Sequence, residues 1–122
     1  MAAITVTAAG RNLIRTGSWL PTYVAVGTSS TPPTTSDTQL GAESFRKAVT
    51  TYTNGGTGEV LVSMYMAPGD DVGDNIQEVG FFGGPTATAN PNSGILIAHG
   101  LYSHASKANT ESIQFTLDFT VS

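Results

Sequence analysis

The sequence predicts a mainly β protein, an antiparallel β-sandwich or jelly-roll-like domain with one short N-terminal helix. Three observations lead there. In residues 111–121 the apolar Ile113, Phe115, Leu117, Phe119 and Val121 alternate with Ser112, Gln114, Thr116, Asp118 and Thr120, the period-2 pattern of a strand with one buried face. Residues 75–84 hold Ile76, Val79, Phe81 and Phe82 in a run too short for a globular helix and rich in β-branched and aromatic side chains, which reads as a largely buried central strand. Asn54-Gly55-Gly56-Thr57-Gly58 separates two strand-like runs, and Asn and Gly tolerate the φ > 0 that a tight hairpin requires.

Taken in order, Thr7 to Arg15 reads as a short helix, with Thr7 as N-cap, Arg15 near the C-terminal dipole and Gly17 as the stop. So short a helix is marginal alone and would dock through Leu13 and Ile14. Trp19 precedes Pro21 and suits either the core or an interface. Thr22–Val26 is a strand closed by Gly27, and the Ser-, Thr- and Pro-rich stretch from Thr28 to Ala42 has no periodicity and reads as a long loop of functional or mobile character. Phe45–Thr53 and Glu59–Met66 are the hairpin strands, paired antiparallel. Pro68 to Asn75 is a turn into the central strand. There Glu78 is expected to point out of the sheet or to end the pairing, since an unpartnered buried carboxylate is strongly penalised. Gly80, between large apolar residues, marks a bulge or a close approach, and Gly83-Gly84-Pro85 stops the strand. Residues 94–102 are a further strand interrupted by Gly100. Six strands and one helix follow, with no internal repeat.

The 122 residues fit a single domain, able to bury roughly two thirds of its unfolded surface. The absence of cysteine excludes disulfides, thiolate zinc sites and cysteine nucleophiles. Neither a basic, apolar leader nor a membrane-length apolar run is present, so a soluble chain without signal peptide is expected. Only 11% of residues are charged, against roughly 25% in typical domains. The net charge of −4, with five cations, offers no basic field for nucleic acid. Polarity rests on 18 Thr and 11 Ser, and such a weakly self-repelling surface suits a chain covered by neighbours.

No catalytic, cofactor or metal site emerges. Ser103, His104 and Asp118 supply the residue types of a triad, but neighbours on a strand face opposite sides and no Gly-x-Ser-x-Gly elbow is present. His99 reads as a strand residue bonded to its neighbours. The turn with Asp70, Asp71, Asp74 and Asn75 has oxygen ligands for Ca²⁺, but its spacing fails the EF-hand pattern and a solvated turn is the simpler reading. Gly55-Gly56-Thr57-Gly58 precedes neither a helix nor a lysine, which removes the phosphate-cradle reading. Neither a carboxylate pair nor an aromatic platform stands out, which disfavours an enzyme and a carbohydrate-binding module.

Val26-Gly27-Thr28, the Pro32-Pro33 loop, Asp37-Thr38-Gln39-Leu40 followed by Glu43 and Arg46, Ile76 with Glu78-Val79-Gly80-Phe81-Phe82, and Leu96-Ile97-Ala98-His99-Gly100 before Lys107 form a further pattern. Together, from Thr7 to about Thr120, they resemble the N-terminal domain of phage tail-collar fibre proteins. The resemblance implies a non-enzymatic virion protein without cofactor, usually trimeric, that docks on other virion proteins and is assembled in the host cytoplasm. A fibre would continue into a shaft, whereas this chain stops at Ser122, so two expectations stand: a tail, collar or baseplate component, or a capsid decoration protein. Thr28, Thr31, Pro32, Pro33 and Asp37 of the long loop are the candidate docking residues. Arg46 is expected to pair with Glu43 or Glu78 and pin that loop to the sheet.

Overall fold

The computed structural model describes residues 4–8, 10, 20–56 and 59–120. Among the described residues, eight strands run in chain order: β1 (Ile4–Val6), β2 (Pro21–Gly27), β3 (Glu43–Ala48), β4 (Thr51–Gly56), β5 (Glu59–Met66), β6 (Ile76–Gly83), β7 (Ile95–His104) and β8 (Ile113–Thr120). They form a five-stranded sheet of order β1-β7-β6-β2-β3 and a three-stranded sheet of order β4-β5-β8. Every pairing is antiparallel. The β-sandwich expected from sequence is the observed fold, with β6 at the centre of the larger sheet.

The core between the sheets joins Val24 and Val26 of β2, Met64 and Met66 of β5, Ile76, Val79 and Phe81 of β6, and Phe115 and Leu117 of β8. Tyr102 packs edge-on against Phe115, with ring centroids 5.0 Å apart. On β8, Gln114, Thr116 and Asp118 are exposed while Phe115 and Leu117 are buried, as the period-2 pattern requires. A register shift in β7 pairs Phe81 with Ala98 but Phe82 with Leu96. Ile97 is therefore the extra residue of a bulge, which brings both Ile97 and Ala98 to the inter-sheet core and leaves Leu96 on the opposite face.

Eight strands replace the six expected, for two reasons. Ile4-Thr5-Val6 is too short to show periodicity, yet pairs with residues 98–100 of β7 as an edge strand. The run read as one strand from Phe45 to Thr53 is two, in different sheets. Val49 N donates to Thr22 O of β2, while the next amide, Thr50 N, donates to Ser63 O of β5. Successive amides of an extended chain point to opposite sides, and here each side belongs to a different sheet. β4 and β5 pair antiparallel as expected, from Thr51 opposite Ser63 to Gly56 opposite Glu59, so that residues 54–56, read from sequence as turn, belong to β4; residues 57–58 lie outside the described residues.

Of the expected helix, Thr7 Oγ1 accepts from the Gly10 N–H at 2.9 Å, the N-cap contact, and donates to Leu96 O. Residues 9 and 11–19, which include Leu13, Ile14, Arg15, Gly17 and Trp19, lie outside the described residues. At Gly80 the pairing is regular on both sides, with Ala25 and His99. The close approach comes from a side chain of the long loop instead: a Cβ on Gly80 would lie 2.6 Å from Leu40 Cδ2. Leu40 joins Ala25, Phe82 and Leu96 in a second apolar cluster on the outer face of the larger sheet. The loop is thus a third layer over that face.

Candidate docking surface

The loop from Thr28 to Ala42 closes at its neck, where Thr28 N donates to Ala42 O at 3.0 Å. What holds it down is Glu78. As expected, Glu78 points out of the sheet, onto the outer face it shares with Phe82, and it is the last residue of β6 paired with β2, opposite Gly27; the burial was not foreseen, for the loop covers it to 1% exposure. Its penalty is met by partners. Oε2 accepts from Ala42 N at 2.8 Å and Ser29 N at 3.2 Å, and Oε1 accepts from Gly41 N at 2.9 Å and faces His99 Nε2 at 3.0 Å. Gly27 makes room for this carboxylate, since a Cβ there would lie 2.4 Å from Oε2.

His99, 4% exposed, continues the chain of contacts, with Nδ1 3.0 Å from Asp37 Oδ2. A neutral imidazole has a single N–H, so both ring contacts to carboxylates are hydrogen bonds only when a second proton is present, on the ring or on a carboxyl. Asp37 also accepts from the Thr34 backbone and hydroxyl, each at 2.8 Å. Burial pushes the Asp37 carboxyl up, but these bonds and His99 outweigh it and hold it below its ordinary value of 3.8. Gln77 Nε2 donates to Thr28 O, and Ala8 N donates to Thr35 O. The loop is fastened at its neck, along its length and near its tip.

The five candidate docking residues therefore divide. Asp37 and the backbone of Thr28 are committed to contacts within the chain. Thr31 and Pro32 are exposed, Thr31 bonding only to Ser29, and Pro33 is half-buried. Beside the neck, Ser30, Gln77, Leu101, Tyr102 and Ser103 line an open groove of about 380 Å³. These described lining residues carry hydroxyl, amide and apolar groups.

For Arg46 the partner is as expected and the fastened segment is not. Arg46 pairs with Glu43, one of the two expected partners, through Nε–Oε2 and Nη2–Oε1 contacts of 2.9 Å each, with both side chains 2% exposed. The segment it fastens is another one: Nη1 donates to Thr88 O at 3.0 Å and to Ser93 O at 2.8 Å, and Glu43 Oε1 accepts from Asn92 N. The guanidinium lies 4.3 Å from the Phe82 ring centroid. Arg46 thus ties down the β6–β7 connection, while Glu78 serves the long loop. A double-mutant cycle in urea is expected to give about 1–3 kcal/mol of coupling between Arg46→Ala and Glu43→Ala, and coupling near zero between Arg46→Ala and Glu78→Ala. The reverse ranking would contradict this division.

At the acidic turn, the cation is supplied by the chain. Lys107 is 1% exposed and its Nζ donates to Ala67 O at 3.1 Å and Pro68 O at 3.0 Å. Asp70 accepts from Ala67 N and from Lys47 Nζ; burial raises its carboxyl, but these bonds and Lys107 bring it below the ordinary range. Asp71 is pushed up to about 6, by burial first and then by the carboxyl of Asp74. Among the described residues, no group of three or more His, Asp or Glu is arranged to hold a metal ion, and no helix is long and apolar enough to cross a membrane.

The three residue types of a triad take separate roles. His104 Nε2 lies 3.2 Å from Glu111 Oε2 at ion-pair distance, Ser103 lines the groove, and Asp118 is exposed on β8 opposite Leu61. Sequence reading missed the joining of Glu78, His99 and Asp37, and the signal that could have found it is the pair Gly27 and Gly41, one at each end of the long loop. No protein family, curated protein or solved structure matches this chain.

Proposed function

We propose that the chain is a non-enzymatic structural component of a tailed-phage virion, a tail, collar, baseplate or fibre-attachment part that docks on other virion proteins. The observation that carries this reading is the fastened loop. The groups most suited to chemistry, Glu78, His99 and Asp37, are spent on holding it. What it presents outward is exposed, uncharged and pre-ordered: Ser30, Thr31, Pro32 and residues 34–36. A segment already fixed by internal bonds and proline loses little further entropy on binding, so its contacts count more fully toward affinity. The resemblance to tail-collar fibre proteins supplies the class of partner, and a capsid decoration protein is the alternative it leaves.

The experiment is virion incorporation. Thr31→Asp combined with Pro32→Asp is expected to leave the melting temperature within a few degrees of the parent, because neither side chain is buried, and to abolish incorporation into particles. Particles carrying the variant at normal copy number would reject the docking role. The copy number of the parent decides the position: on the order of tens of chains or fewer for a tail part, on the order of hundreds for a decoration protein.

A further inference from the structure

The four sheet edges are not alike. Natural sheets blunt their edges with short strands, charged residues or register breaks, because an open strand is a template for another. β1 is three residues long. β3 carries Glu43, Arg46 and Lys47 within six residues. β4 has a register shift between Asn54 and Gly56. β8 is neither short nor broken in register, and its sequence carries a single charge, Asp118. It runs eight residues, Ile113–Thr120, in unbroken register with β5, without Pro, Gly, Lys or Arg. Among the described residues it pairs on that one side only.

We propose that β8 pairs antiparallel with β8 of a second copy of this chain, about a two-fold axis at Thr116, joining two three-stranded sheets into one of six strands. The choice of partner follows from the strand itself. With Thr116 opposite Thr116, Phe115 stands opposite Leu117 on the core side of the sheet, and Gln114 stands opposite Asp118 on the exposed side. The only charge of the strand thus meets an amide that can donate to it, and does so twice by symmetry. A shift of two residues in the sum of paired positions, toward Asp118 opposite Thr116, loses that match. A shift of four sets Asp118 against Asp118, and like charges directly opposite are destabilising. Of these three registers, the first is the one in which the strand complements itself. This contact is independent of the docking loop, which lies on the outer face of the other sheet, so either can fail without the other. It is also an alternative to the three-fold assembly that the fibre resemblance implies.

The chain has no cysteine, which makes single-cysteine variants of the full chain clean probes. In an antiparallel pair, residues directly opposite have Cα atoms about 4.5–5.5 Å apart, within disulfide reach. Thr116→Cys is therefore expected to form a disulfide-linked dimer under mild oxidation. Two copies of residue 114 would be offset by four positions, roughly 13 Å along the strands, so Gln114→Cys is expected to stay uncrosslinked. Light scattering should give the mass of two chains for the parent. Gln114→Asp, at an exposed position, should weaken the dimer about tenfold by placing carboxylate against carboxylate, and Gln114→Lys should tighten it. These two variants carry the test if Thr116→Cys does not fold. A mass of one or three chains, crosslinking of Gln114→Cys as readily as Thr116→Cys, or indifference of the dimer to both charge changes would overturn the proposal.

Discussion

Replacing Glu78 by alanine is expected to lower the unfolding free energy by about 3–5 kcal/mol, the scale of breaking a buried charged contact by removing one partner, with the urea midpoint as the readout. The loss has two sources. Three backbone N–H groups, from Ser29, Gly41 and Ala42, lose their acceptor, and His99 loses the partner of Nε2. A buried donor left unpaired costs about 1–3 kcal/mol, so a simple sum over the three amides alone would reach beyond the stated range. It overstates the effect because Gly41 and Ala42 are exposed residues, and water can reach their amides once the side chain is gone. Glu78→Gln is expected to lose part of the same energy despite its matched shape. Oε2 accepts from two amides, and Oε1 accepts from one while facing His99. Whichever position the NH₂ takes, a donor faces a donor. An unchanged midpoint in Glu78→Ala would mean that the loop is held by Leu40 and its neighbours alone.

That network also marks the limit of what could be read from the sequence. Short-range rules worked where the structure obeys them locally. The alternation over residues 113–118, the hairpin pairing of β4 with β5 and the stop at Gly83-Gly84 each depend on neighbours a few positions apart, and Gly84 does take a positive φ of 84°. Arg46 and Glu43, three residues apart, were legible as a pair for the same reason. Glu78, His99 and Asp37 are separated by 21 and 62 positions. Nothing within either strand indicates that a loop will fold over the sheet and supply amides to a carboxylate. Read alone, a carboxylate in an apolar strand must point away from the core, since burial without a partner is penalised; the third layer supplies the partners that let it be buried there. The crossing between sheets at Val49 and Thr50 escaped notice on similar grounds, because it changes only the destination of successive amides and needs no Gly or Pro.

Phe81→Ala is expected to cost about 3–5 kcal/mol, a large part of the roughly 5–15 kcal/mol that holds a domain folded. Phe81 is fully buried in the inter-sheet core, between Val24 of β2 and Ala98 of β7 in the register of the sheet. Collapse around the missing ring is restricted on each side. Ala98 is too small to reach into the space, its neighbour Ile97 is fixed by the β7 bulge, and Val24 is stiff at χ1. The cavity term should therefore be near its full value. Phe82 provides the internal comparison, because it points to the other face, under Arg46 and beside Leu40. Phe82→Ala removes a ring of the same size together with a cation–π contact, yet its cluster has a loop for one wall, and a loop can settle where a paired strand cannot. Phe81→Ala should accordingly melt at a lower temperature than Phe82→Ala, and both below the parent. If Phe81→Ala melts like the parent, β6 is not the strand on which the two sheets pack. If the order of the two variants is reversed, the loop and its apolar cluster contribute more to stability than the inter-sheet core.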